Sequence, residues 1–258
     1  MAAKKSQGIC ALCKKLGQLC ESHIIPEFLY EFVFDDKHRY AVSQLADDTG
    51  DAPIYDEMIT RQTGVWEHLL CSECENRISR WETYASDALA LRRGVTCRPD
   101  TSAVVLEGIN YDDFKLFQMS LLWRMSVSSR AEFSGVTLGR HHSEVIRRRL
   151  YAMDPGKRMD YPCLMSIDGS DSRILIPPRK SHLNLKKIFH FITPPYLWFY
   201  PLNRRSQDPI FNRNALTEDG ALRLPRLDFA DYLAGHGRRH RPARRVIVRP
   251  REKGASNR

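Results

Sequence analysis

Cys10-Ala11-Leu12-Cys13 near the start of the chain and Leu70-Cys71-Ser72-Glu73-Cys74 much further on decide how the first third of this sequence folds. Thiolates spaced this closely suit a soft tetrahedral dication, and two matched pairs make one ligand set. The spacing therefore predicts a structural zinc site formed by Cys10, Cys13, Cys71 and Cys74, tying the N-terminus to a distant helix. Residues 10–15 read as a zinc knuckle, a tight turn whose backbone N–H groups face the sulfurs. Gly17 follows as the turn of a hairpin, with His23 at or after the end of its returning strand. From Cys74 onward Ile78, Trp81, Ala85, Ala88 and Leu89 recur at three- and four-residue steps, one apolar face of a helix. Cys71 and Cys74 then lie at its N-terminus, where the helix dipole and free N–H groups favour thiolate over thiol.

Knuckle, hairpin and ligand-bearing helix are the parts of a treble clef. Between the cysteine pairs, Pro26 opens a short helix towards Phe32, and 35–64, rich in aspartates and turn formers, reads as a long irregular loop. Cys20, Cys97 and Cys163 have no partner at metal spacing and read as buried or half-buried thiols. Seven cysteines, an odd count in paired spacing, argue for metal ligands in a reducing cytoplasm rather than a disulfide framework. No run of eighteen apolar residues and no signal-peptide pattern is found, so neither membrane nor secretion is expected.

With 258 residues, 42% of them hydrophobic, the chain suits two unequal domains better than one. The expected division is a zinc-stapled domain at 8–93, an α+β domain of unknown role at 103–235 and a basic tail at 236–258. The stretch Cys97-Arg98-Pro99-Asp100-Thr101-Ser102 reads as the linker. The tail holds nine Lys and Arg against Glu252 alone, so it carries +8 of the net charge of +9 and leaves the body nearly neutral. Such a stretch either engages phosphates through counterion release or is a solvated tail, with Val246-Ile247-Val248 adding one strand.

In the second domain a helix is expected over 111–128, capped near Asp112 or Asp113. Its residues Phe114, Phe117, Leu121, Leu122, Trp123 and Met125 surround most of its circumference, so it belongs in a core. A helix over 140–153 carries His141, His142, Glu144, Arg147, Arg148 and Arg149, read as a solvated basic face ahead of a metal or phosphate site. Short strands at 163–167, 173–176, 187–192 and 196–200, punctuated by Asp168-Gly169, Pro177-Pro178 and Pro194-Pro195, suggest a small antiparallel sheet. Tyr196, Trp198, Phe199 and Tyr200 either pack that sheet's core, which alternation favours, or stack unpaired bases. No phosphate-cradling Gly-rich loop and no internal repeat is found.

Cys-x-x-Cys, then Ser22-His23-Ile24-Ile25-Pro26, then Leu70-Cys71-Ser72-Glu73-Cys74-Glu75-Asn76 resembles the HNH, or ββα-metal, endonuclease family in its zinc-stapled form, over about the first third of the chain. The resemblance implies an enzyme that hydrolyses phosphodiester bonds in DNA, or in RNA. His23 would be its general base, an imidazole whose pKa near neutrality suits taking a proton from water. It also implies a divalent metal, Mg²⁺ or Mn²⁺, distinct from the zinc, held by Glu75 with help from His68, Glu67 or a loop aspartate. Ser22 stands where many members have Asp or Glu, and Glu75 where many have His or Asn. The middle Asn has no counterpart in Trp66-Glu67-His68-Leu69-Leu70. These departures favour an alternative, a non-catalytic zinc module binding nucleic acid or a protein partner; a regulatory or defence component is a third. His23 by itself is either a base or a histidine hydrogen-bonding within the knuckle. The middle segments are similar to those of uncharacterised bacterial proteins with such a zinc module, a likeness that assigns no chemistry.

Overall fold

The computed structural model describes residues 6–44, 57–169, 174–183, 186–201, 209–229 and 231–232. Strands β1 (Ser6–Ile9) and β2 (Leu16–His23) form an antiparallel hairpin, and a short 3-10 turn, Glu27–Tyr30, follows Pro26 as expected. Next come β3 (Tyr40–Gln44), β4 (Glu57–Arg61), β5 (Trp66–Cys71) and helix α1 (Ser72–Leu89). The rest of the chain adds β6 (Thr96–Asp100), β7 (Ala103–Glu107), α2 (Tyr111–Val127), α3 (Gly139–Ala152) and β8 (Leu164–Asp168). It continues through β9 (Ile174–Leu183), β10 (Lys186–Thr193), β11 (Tyr196–Pro201), α4 (Pro209–Asn214) and β12 (Leu222–Leu227). The class is α+β, as expected. The acidic loop positions 45–56 and the basic tail at 236–258 lie outside the described residues.

The hairpin turn is the knuckle itself rather than Gly17, which pairs with Gly8 inside the ladder. Reversal is made at Lys14, whose φ of 63° lies in the left-handed region, and is closed by Cys10 N donating to Lys15 O at 2.9 Å. β5 adds to β2, so the small sheet runs β1-β2-β5 and delivers Cys71 directly into α1. The apolar face read for α1 is the buried one: Cys74, Ile78, Trp81, Ala85 and Ala88.

The second sheet is larger than expected and mixed. Its order is β4-β3-β9-β10-β11-β8-β12-β7-β6, with parallel pairings at β3–β9 and β8–β12. Two stretches read as irregular join it. The expected loop at 35–64 supplies the β3–β4 hairpin, and the expected linker at 97–102 is β6 with its turn into β7. Four of the five β6 side chains are exposed, so the strand carries no apolar alternation by which a sequence would betray it. Cys97 is accordingly exposed rather than buried. Pro177 and Pro178 sit inside β9 rather than ending it. The ladder to β10 shifts register there, Ile192 opposing Ile176 and His190 opposing Arg179, so the prolines occupy a bulge that needs no ladder N–H.

Helix α2 is central. Every residue from Phe114 to Met125 is buried, and its N-cap is Asn110, whose side chain accepts from Asp113 N at 3.0 Å; neither Asp112 nor Asp113 is the cap. One side of α2 lies on the large sheet, where Phe117 meets Trp198 with centroids 6.1 Å apart and Tyr200 donates its hydroxyl to Gln118 O at 2.9 Å. The opposite sheet face packs Leu164, Ile188, Ile192, Leu197 and Phe199 against Phe211 of α4 and Phe229. Tyr196, Trp198, Phe199 and Tyr200 are all core residues, not a stacking platform. One hydrophobic cluster joins Cys10, Leu12 and Trp81 of the first segment to Phe117, Trp198 and Leu224 of the second.

Candidate metal centre and the polar cluster beside it

The four cysteines converge. Their sulfurs all lie within 4.8 Å of one another, and Cys13 Sγ is 3.8 Å from Cys71 Sγ. A tetrahedral zinc with bonds of about 2.3 Å places its sulfurs about 3.8 Å apart, so the donor set fits an ion such as zinc in both chemistry and size. Burial is the largest influence on Cys10 and pushes its thiol up. The N–H groups of Cys13, Cys71 and Leu12 together outweigh it and bring the thiol down to about 7. Burial drives Cys74 strongly upward, and Cys13 is raised by the same cause. A bound dication would offset the cost of that burial and let all four thiolates form. The knuckle is braced from two sides, by Ala11 N donating to Leu69 O at 3.0 Å and by Arg147 of α3 donating to Leu12 O at 2.6 Å. The basic face of α3 is thus partly structural: Arg147 and Arg148 also pair with Glu144, and Arg149 with Asp160.

A polar cluster forms at the end of β2. Ser22 is fully buried and donates its hydroxyl to Glu75 Oε2 at 2.5 Å. Burial raises the Glu75 carboxyl, while the Ser22 hydroxyl and the Arg124 guanidinium pull it back. Arg124 comes from α2 and has no exposed surface; its Nη2 is 2.5 Å from Glu82 Oε1, and its Nη1 donates to His23 O at 2.5 Å. His23 ends β2 half-buried, opposite Trp66 in the ladder, with Ile24 N donating to Val65 O at 3.0 Å. Its ring lies against Gly64: a Cβ there would come within 3.3 Å of the imidazole and 3.0 Å of the Tyr30 ring. Any larger residue requires the rings to give by a few tenths of an ångström.

The expected trio of His23, Glu75 and His68 is divided between the two faces of the small sheet, although the His23 charge acts on Glu75. Strand alternation puts His23, Trp66 and His68 on one face of the small sheet and Ser22 with Glu67 on the other, where Glu75 reaches Ser22. His68 packs its ring edge-on to Trp66 at 5.6 Å, and its buried Nδ1 has no hydrogen-bond partner among the described residues. Glu67 is consumed structurally, accepting from Ser128 Oγ at 2.7 Å, Ser129 N at 3.0 Å and Ser129 Oγ at 2.8 Å. Glu75 is committed to Ser22. These residues do not fit the divalent Mg²⁺ or Mn²⁺ site that the resemblance implies, because a hard cation needs several free, convergent oxygens.

On the His23 side a cleft of about 550 Å³ opens, lined by Arg39, Arg61, Gln62, Thr63, Gly64, Trp66 and Arg130. Three guanidiniums and no carboxylate line it. Arg39 and Arg61 are steadied from outside the lining by Asp35 at 2.8 Å and Glu132 at 2.6 Å, and the Trp66 side is 37% exposed. A second open cleft of about 800 Å³ lies between the start of α2 and the end of α3. It mixes Arg149 and Lys157 with Asp112, Asp154, Asp160 and Glu218, and Arg149 pairs there with Asp160 at 2.9 Å. Sequence reasoning missed Arg124, Glu82 and the arginine cleft. Arg124 stands inside an apolar helical run, and the cleft's residues come from separate elements. No helix among the described residues is long and apolar enough to cross a membrane. No family model, curated protein or solved structure matches the chain.

Proposed function

We propose that this chain is a zinc-stapled, HNH-like treble-clef protein that binds nucleic acid through the cleft of Arg39, Arg61 and Arg130. The observation that carries the reading is the composition of that cleft, three arginines and no acid on its lining, next to the strand end that bears His23. Guanidiniums pair bidentately with phosphate, and exposed Trp66 offers a face to a base. Four cysteines held as metal ligands rather than disulfides suit a reducing cytoplasm. In zinc-loaded protein, fluorescence anisotropy with labelled DNA and RNA should give binding that weakens with salt. Arg39→Ala, Arg61→Ala and Arg130→Ala combined should lower affinity at least tenfold and flatten the salt slope by up to about three. Unchanged affinity with intact zinc content sinks the proposal. Deleting 236–258 in parallel measures the tail separately.

A second reading, phosphodiester hydrolysis with His23 as base, is favoured by the imidazole lying against Gly64, a residue of the cleft wall. The chain's own residues would hold the phosphate on arginine and the proton acceptor at the strand end. Nicking of plasmid or single strands that disappears in His23→Ala supports it. No nicking across Mg²⁺, Mn²⁺ and Ni²⁺ leaves binding as the activity.

A further inference from the structure

Helix α2 places a charged side chain, Arg124, against the N-terminal unit. Arg124 is wholly buried, which for an arginine requires matched partners. Two oxygens lie in reach, Glu82 Oε1 as an ion pair at 2.5 Å and the His23 carbonyl as a hydrogen-bond acceptor at 2.5 Å, while Nε has no hydrogen-bond partner among the described residues. Glu82 and Glu75 are two turns apart on α1 and therefore share a face, and the guanidinium charge also acts on Glu75. The guanidinium touches the Glu82 carboxylate and the strand-end carbonyl, its charge reaches the Glu75 carboxylate, and Glu75 in turn holds the buried Ser22 hydroxyl. Such an oxygen-rich shell resembles what a hard divalent ion demands, but a guanidinium already stands in it.

We propose that Arg124 is the built-in cation of this centre: it fills the place of a divalent ion between α1 and the end of β2, and it positions His23 through its backbone. Two consequences follow from charge. Without Arg124 the Glu82 charge still bears on Glu75, and the guanidinium that offsets it is gone. With it, a further dication entering the same shell meets a fixed like charge at short range. The centre therefore takes up no divalent metal, whatever ligand the arginine cleft takes, and α2 is part of it rather than a neighbour. Arg124 is a positioning residue, since its contacts are to Glu82 and to the His23 main chain.

The test is Mn²⁺ uptake by the zinc-loaded full chain, followed by the loss of the free-ion signal in electron paramagnetic resonance. Wild type should take up no Mn²⁺ at a site that Glu75→Gln or Glu82→Gln abolishes. Arg124→Ala should gain one such site, at least tenfold tighter than any wild-type uptake, and lose it again in the double variant with Glu82→Gln. Arg124→Lys, which keeps the charge, should stay free of Mn²⁺. One equivalent of Mn²⁺ in wild type that Glu75→Gln removes overturns the proposal, as does a folded Arg124→Ala that takes up none. Should Arg124→Ala lose its zinc or its fold, wild type and Arg124→Lys still decide, because an equivalent bound in either refutes it. Nucleic-acid affinity plays no part in the readout, so this outcome and that of the cleft variants are separable.

Discussion

The small sheet β1-β2-β5 and the centre of the large sheet hold their strands by different means. All six residues of β11 are buried, and both faces of the sheet around it are covered, by α2 on one side and by α4 with Phe229 on the other. β1 alternates half-buried and exposed positions, and Ile9 at its end is 65% exposed, as is Leu16 at 71% across the turn. A sheet with so little apolar burial needs other supports. The cysteine cage clamps its turn to α1, Arg147 braces the knuckle carbonyl, and Ser22, Glu75, Glu82 and Arg124 lock the far end. Area holds the large sheet. Specific bonds hold the small one, and the candidate site lies where those bonds are.

The largest effect should come from breaking the cage. Cys71→Ser or a strong chelator should remove the metal, and structural zinc sites contribute on the order of 10 kcal/mol. Hydrogen exchange should then rise across β1, β2 and β5 while β8, β10 and β11 stay protected; unchanged exchange in β1 and β2 refutes the contrast. Trp198→Ala attacks the other region. It should lower unfolding stability by about 3–5 kcal/mol in urea, through lost burial and the lost Nε1 bond to Thr193 Oγ1 at 2.7 Å, yet leave metal content unchanged.

Lys115 sharpens the comparison by pH. Burial, the main cause, lowers its ammonium to about 8, although Nζ donates to Arg158 O at 3.2 Å and Tyr161 O at 3.1 Å. The unfolded chain keeps this proton up to about pH 10.4. Between pH 8 and that value the unfolded state binds more protons, so stability rises with pH through the window and the penalty is fully present below it. Relative to Lys115→Met, wild type should gain on the order of 3 kcal/mol across that window, and a flat difference rejects the assignment. Ser22→Ala should give the smallest change, about 1–3 kcal/mol, because it strips a buried carboxylate of one donor. Equal stability with equal zinc content means that the Ser22–Glu75 bond contributes nothing.

Legibility followed the range of the interaction. The thiolate spacing, the apolar face of α1, the apolar residues spread around most of α2 and the strands near 163–200 are all written in patterns a few residues long, and each stands where it was expected. β3, β4 and β6 left no such mark. β6 is an exposed edge held by its ladder to β7 and by ion pairs such as Asp100 with Arg223 at 2.8 Å, and no side-chain period is needed for either. The candidate site was half visible: His23 ends β2 as read, whereas of the alternatives Glu67 and His68, adjacent in sequence, the fold turns the two to opposite faces and binds Glu67 to Ser128 and Ser129.

The sequence by itself determined the four-cysteine cluster, the helix it opens and the strand that ends at His23, because spacing and period act along the backbone over one or two turns. Only the tertiary structure decided what surrounds His23. Arg124 is 101 positions away, Glu82 lies on another helix, and Arg39, Arg61 and Arg130 meet from three separate segments. Ion pairs and clefts depend on distance through space, and no local pattern records which charges the fold brings within reach.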